Sequence, residues 1–276
     1  MTASNDAQIE YWNSAVGERW ARLQETIDAS LAEIGKAALA FAGAQPGWRV
    51  LDVGCGCGTT TLALSGAVGP GGSITGVDTS APMLAVARHR GAAAGANFLQ
   101  SDAATHLFHP THDLVFSRFG VMFFADPPAA FANIRKALKP SGRLAFVCWR
   151  DAKANAWASA PMAAARDLVP PQPPADPTAP GPFAFADRDR LARILETAGY
   201  RYVRVEPLDT TMYMGATVDD AAAQALNIGP LARAAMELDE ETRGRIRERV
   251  KVALAEFATA KGVLPPAACW LAGASA

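Results

Sequence analysis

The stretch RVLDVGCGCGTTTLAL, Arg49 to Leu64, joins an apolar run and an acid to three glycines alternating with two cysteines. A metal site, a phosphate cradle and a turn beneath some other ligand all fit such a string at first sight. The cysteines carry the least of it. Structural zinc wants paired Cys/His clusters, usually with two residues between the cysteines. Here Cys55 and Cys57 are one residue apart, and Cys148 and Cys269 lie in apolar, strand-like segments. Small side chains tolerated in a tight turn are the simpler reading, and no metal is expected.

A glycine turn between strand and helix suits ligands that need close backbone approach. A Walker loop would end in Gly-Lys-Ser/Thr, but Gly58 is followed by Thr59 and Thr60. The dinucleotide fingerprint G-x-G-x-x-G, counted from Gly54, needs a glycine where Thr59 stands. What remains is acid-x-Gly-x-Gly-x-Gly, from Asp52 to Gly58.

The rest of the chain supplies the context. Its 276 residues are 50% hydrophobic and 19% charged, a globular composition long enough for a real core. A net charge of −1 offers no basic excess for phosphates, so no nucleic-acid partner is expected. MTASNDAQIEYW shows no secretion signal, Ala-rich segments are broken by Arg, Asp, Gly or Pro, and four cysteines make no disulfide framework. These features predict a cytoplasmic chain without a membrane partner; self-association stays open.

From Ile9 to Phe41, Trp20, Leu23, Ile27, Leu31, Ile34, Ala38 and Phe41 recur at steps of three and four, an apolar helical stripe that Gly17 and Gly35 can interrupt. QPGW, 45–48, ends it as a turn. Strands then alternate with helices: strands at 50–53, 73–77, 97–100, 113–117 and 143–149, with helices from Thr59, from Ser80-Ala81-Pro82 and over 126–138. Such alternation predicts an α/β fold with a doubly wound, mostly parallel sheet and ligands at the strands' carboxyl ends. After Trp149 comes a helix (154–168), the proline-dense VPPQPPADPTAPGPFAF, a helix and strand in DRDRLARILETAGY and RYVRVEPL, helices over 217–261, and a last strand in CWLAGA. The expected division is 1–45 helical lid, 46–150 cofactor-binding core, 151–186 insertion, 187–210 core continued, 211–262 helical substrate-side insertion and 263–276 final strand.

The acids fall on one edge of that sheet. Asp78 ends the second strand, where a carboxylate can take both hydroxyls of a ribose. Asp102-Ala103 follows the third, in reach of an adenine amino group, and Ser117-Arg118 follows the fourth. Each alone could be a turn or cap residue; their coincidence points to a site. In the motifs VLDVGCGCG, GVD, SDA, DLVFSRFGVMFF and ALKPSGRLAFVCW, over about Pro46 to Arg150, the chain resembles the class I S-adenosylmethionine-dependent methyltransferases, nearest the ubiquinone/menaquinone-type, small-molecule branch. The resemblance implies a Rossmann-like sheet of seven strands with a reversed last strand, and S-adenosylmethionine as cofactor. It also implies that Gly54 and Gly56 admit the cofactor's methionine end, Cys55 contributing main chain only. Asp78 would hold the ribose, Thr79 and Met83 flank the adenosine, and Asp102, Ala103 and Ser117 complete the cofactor edge.

Methyl transfer from a sulfonium needs alignment, a dry site and a lid more than a nucleophile or metal, so no catalytic residue is expected beyond Arg118 as a weak candidate. Tyr11, Trp12 and Trp20 are the lid candidates, since aromatic faces suit a sulfonium, although Trp20 also belongs to the apolar stripe. Arg118, Phe119, Met122, Phe123 and Trp149 should line a small-molecule acceptor pocket; Arg118 is read as gripping an acidic acceptor or the cofactor's carboxylate ahead of a structural ion pair. His106, His109 and His112 read as a surface loop, because His112 opens strand four on the far edge. A nicotinamide oxidoreductase and a non-catalytic cofactor-binding protein are the competing readings.

Overall fold

The computed structural model describes residues 4–92, 94–171 and 176–276. Residues 1–3, position 93 in the Ala-rich stretch and 172–175 in the middle of the proline-dense loop lie outside the described residues. Seven strands form one sheet: β1 (Arg49–Val53), β2 (Ser73–Asp78), β3 (Asn97–Gln100), β4 (His112–Arg118), β5 (Leu138–Trp149), β6 (Arg201–Thr211) and β9 (Pro266–Ser275). Their order is β3-β2-β1-β4-β5-β9-β6. β7 (Ala258–Thr259) and β8 (Gly262–Val263) make a separate ribbon. All pairings are parallel up to β4–β5, whereas β9 runs antiparallel between β5 and β6. Covered on both faces, β1 and β4 read as continuous apolar runs, not as alternating ones.

Helices α1 (Asp6–Asn13), α2 (Ala15–Arg22), α3 (Gln24–Ser30) and α4 (Ala32–Ala42) precede the sheet. The stripe from Ile9 to Phe41 is thus four helices, broken at Ser14, Leu23 and Leu31 and not at either glycine. Gly17 stays helical because α1 crosses it closely: a Cβ there would stand 2.0 Å from the Trp12 carbonyl oxygen. Helices α5 (Thr59–Val68), α6 (Ala81–Gly91) and α7 (Pro127–Arg135) are the crossovers. α8 (Ala156–Ala164) follows β5, α9 (Arg188–Thr197) precedes β6, and α10 (Val218–Ala225), α11 (Pro230–Ala234) and α12 (Glu240–Leu254) lie between β6 and β9. The expected helix over 126–138 ends three residues early, and KPSG, read as its stop, lies inside β5, where the pairing register with β4 shifts.

Strand order reverses between β1 and β4, so the turns leaving these two strands face each other across the crevice where such sheets take ligands. No helix among the described residues is long and apolar enough to cross a membrane.

Candidate functional site

The turn after β1 is built by glycine. Gly54, Gly56 and Gly58 have φ of +68°, +53° and +84°, a left-handed region costly to other residues. Gly54 serves packing as well as conformation: a Cβ on it would stand 2.5 Å from Gly120 Cα, so the turns after β1 and β4 touch backbone to backbone. At Gly56 a Cβ would meet only Met83 Sδ, at 3.7 Å, leaving room above the turn. Cys55 is buried, and its thiol occupies the space that makes Gly76 of β2 a glycine. Burial pushes the Cys55 thiol well up and, with Asp28, the Cys57 thiol to about 11, so both stay protonated at neutral pH.

Three acids surround this turn. Asp78, at the end of β2, accepts from Gly56 N–H at 2.7 Å and from Ser80 N–H at 2.9 Å, one on each oxygen. Burial raises its pKa, against the pull of those amides. Asp52 lies fully buried beneath the turn, where Thr60 and Thr61 at the start of α5 donate to Oδ2 at 2.8 and 2.7 Å. Its Oδ1 has no partner among the described residues, and burial lifts the carboxyl to about 6. Asp102, after β3, takes Ala104 N–H and the Asn5 amide on Oδ1, at 2.9 and 3.0 Å. Asp52 stands in the quoted motif, yet its depth under the turn was not readable from spacing.

The N-terminal segment covers these residues through orphan backbone groups of the core. Asn13 accepts from Ala81 N–H, a free donor at the start of α6, and donates to the Thr79 carbonyl. Ser80 Oγ donates to Trp12 O at 2.7 Å, and Asn5 also accepts from Ala125 N–H. No sequence signal marked Asn5 or Asn13, because their partners lie 66 to 120 residues away. Trp12 meets Tyr11, Trp20 and Phe123 edge-on at centroid distances of 5.3, 5.4 and 5.1 Å. The structure therefore joins three expected lid aromatics to one expected pocket residue.

Arg118 has a counter-charge within the protein. Its guanidinium pairs with Asp28 of α3 at 3.4 Å, and Asp28 also takes Arg90 and the Thr59 hydroxyl. A guanidinium only 14% exposed requires a counter-charge, and α3 brings it. Phe119 follows with φ +64°, strained for so bulky a residue, and stacks on Trp149 at 4.2 Å and 13°. Trp149 leans on Trp157, whose indole N–H donates to the buried Asn155. Met122 and Ser117 are buried in the core, and Ser117 Oγ accepts from Gly120 N–H, closing the turn. Ala103 is also buried, with its carbonyl taken by Asn133. His112 opens β4 on the far edge, as expected, whereas His106 lies against Ser101 on the site's own edge.

Residues 50–142 match the family model of a methyltransferase domain. The chain is 36% identical over 108 residues to a ubiquinone/menaquinone biosynthesis C-methyltransferase of Shewanella piezotolerans, covering 37% of this chain and 43% of that one. It is 31% identical over 142 residues to a demethylmenaquinone methyltransferase of Staphylococcus aureus, covering 50% and 59%. The chain thus spans about half the length of these relatives. Among solved structures it is similar in fold to the YcgJ protein of Bacillus subtilis, with a TM-score of 0.56 at 17% identity, covering 89% of this chain and 97% of the other. The domain match begins at β1 and takes in the glycine turn, so this part of the chain is similar to a methyltransferase domain, carried on the sheet of order β3-β2-β1-β4-β5-β9-β6.

Proposed function

We propose that the protein transfers a methyl group from S-adenosylmethionine to a small-molecule acceptor. The observation that carries this reading is Asp78: a buried carboxylate at a strand's carboxyl end, beside a glycine turn and beneath an aromatic lid. The residues present fit an adenosyl ligand. Asp78 uses one lone pair of each oxygen on backbone amides and keeps others for ribose hydroxyls. Asp102 Oδ2 stands beside the occupied Oδ1 and can accept from an adenine amino group, while Gly54, Cys55 and Gly56 present main chain and Thr79, Met83, Ala103 and Ser117 shape the edge. When bound, the cofactor supplies a methyl group on a sulfonium, open to in-line displacement by an O, N or C atom.

The chain's own part is alignment and exclusion of water. Tyr11, Trp12 and Trp20 close the cofactor side. Phe119, Phe123 and Trp149, with Met122 behind them, give the acceptor a flat apolar wall suited to an aromatic ring. Arg118, held by Asp28, keeps its remaining N–H donors for an anionic group. All four cysteines are unpaired, which suits the reducing cytoplasm. Calorimetry with S-adenosylhomocysteine and with NAD, followed by detection of S-adenosylhomocysteine release over a panel of phenolic and quinol acceptors, tests this. Homocysteine-nucleoside binding and turnover are expected; binding of NAD alone would overturn the cofactor, and tight binding with no turnover would leave a regulatory protein.

A further inference from the structure

On the sheet edge opposite the glycine turn, α4 leaves part of β5, β9 and β6 uncovered. A groove of about 400 Å³ opens there, lined among others by Phe41, Arg143, Ala145, Tyr202, Arg204 and Gly273. The pairs Arg143–Ser275, Ala145–Gly273 and Arg204–Gly273 put these residues on one face, with a floor of small side chains.

Two guanidiniums wall the groove, and each lies over an aromatic ring. Arg143 caps the end of α4 by donating to the carbonyls of Ala42 and Gly43, with its Cζ 4.8 Å from the centre of the Trp48 ring. Its Nε is shut off from solvent and has no acceptor among the described residues. Arg204 lies over the Phe41 ring at 5.3 Å and stays 63% exposed, with Glu206 3.6 Å away. Burial, and then the Arg204 charge, press the Arg143 pKa below its ordinary value. Two like charges facing one groove repel, and an anion between them would relieve that repulsion. At the mouth stands Tyr202, 81% exposed, with φ +52°, on a bulge where β6 carries one more residue than β9 opposite. Left-handed backbone at a large side chain gathers at ligand sites.

We propose that this groove binds a small organic anion with a flat apolar body, an aryl carboxylate in chemical class. Its carboxylate would sit between Arg143 and Arg204, and its ring beside Phe41 and Tyr202. Nothing in this depends on methyl transfer, since the groove faces away from Asp78 and Gly56.

Benzoate titrated into the full chain, followed by calorimetry, tests the proposal. Saturable millimolar binding is expected, with neutral benzamide not bound. Arg204→Gln should weaken it by at least about tenfold, the loss of one charge-assisted contact. Tyr202→Ala should weaken it less. Both side chains are exposed, and an unchanged melting temperature checks that the variants fold. No saturation by ~50 mM would overturn the site. So would equal affinity in Arg204→Gln, binding of benzamide like benzoate, or competition between benzoate and S-adenosylhomocysteine.

Discussion

The parallel half of the sheet, β3-β2-β1-β4, and the half containing the reversed strand, β5-β9-β6, meet their surroundings by different means. In the first, backbone does the shaping: Gly54 against Gly120, and Gly56 N–H and Ser80 N–H on Asp78. In the second, side chains do it: Phe119 on Trp149, Trp157 on Asn155, Arg143 and Arg204 on aromatic rings. Backbone contacts fix a geometry that few substitutions survive, whereas a wall of side chains can be exchanged one residue at a time. One half therefore tolerates little change in its turns, and the other can be altered in shape and charge with its backbone intact.

The contrast breaks or holds first at glycine. Gly54→Ala adds a Cβ 2.5 Å from backbone at positive φ, while Gly273→Ala adds one 3.1 Å from the Phe41 ring, which can shift. The first should cost about 4 kcal/mol or more, and the second about 1 kcal/mol or less, by denaturant unfolding. Comparable costs would mean that the two halves are built alike.

Asp52 gives the next largest effect, and its sign is fixed by burial. The folded state holds the Asp52 proton up to about pH 6, while an unfolded aspartate releases it near its ordinary value of 3.8. Unfolding between those values therefore sheds a proton, and stability falls as pH rises through the window, by ~3 kcal/mol in all. Asp52→Asn should remove that part of the slope between pH 4 and pH 6.5. An unchanged slope would show the carboxyl to be ionised throughout.

The same division explains what could be read in advance. β1, β2, β4, the crossover helices and Asp78 were legible because burial on both faces writes apolar runs and glycine turns write themselves as glycine. The breaks at Leu23 and Leu31 were not legible, because neither residue stops a helix; the bends follow where α3 brings Asp28 to Arg118 and α4 brings Phe41 to Gly273. Arg118 was recognisable as needing a partner, but Asp28 is 90 residues away and in no motif. The place of Asp102 after β3 is visible in the sequence, while Asn5, which donates to it, carries no signal there.

Asp78→Ala sharpens the comparison at the cofactor end. Removing a carboxylate that takes charge-assisted hydrogen bonds should weaken S-adenosylhomocysteine binding by roughly 1.5–3 kcal/mol. Asp209→Asn, which breaks an ion pair with Arg150 at an exposed carboxylate of β6, should leave that binding unchanged. Equal losses would trace the effect to general destabilisation, and unchanged affinity in a folded Asp78→Ala chain would contradict the ribose assignment.

The smallest effect separates lid from core. Asn13 supplies an acceptor to Ala81 N–H at 2.9 Å and a donor to Thr79 O at 3.0 Å, and is itself exposed. Its loss removes a helix cap, worth about 1 kcal/mol, without opening a cavity. If α1 is held chiefly by these bonds, Asn13→Ala should leave global unfolding within about that amount. It should also speed amide exchange in α1 and at Ala81 well beyond that in β1 and β4, since local opening costs less than global unfolding. Exchange that quickens evenly in α1 and β4 would instead make the lid part of one cooperative unit with the parallel strands, and the backbone-built half would then extend to the first helix.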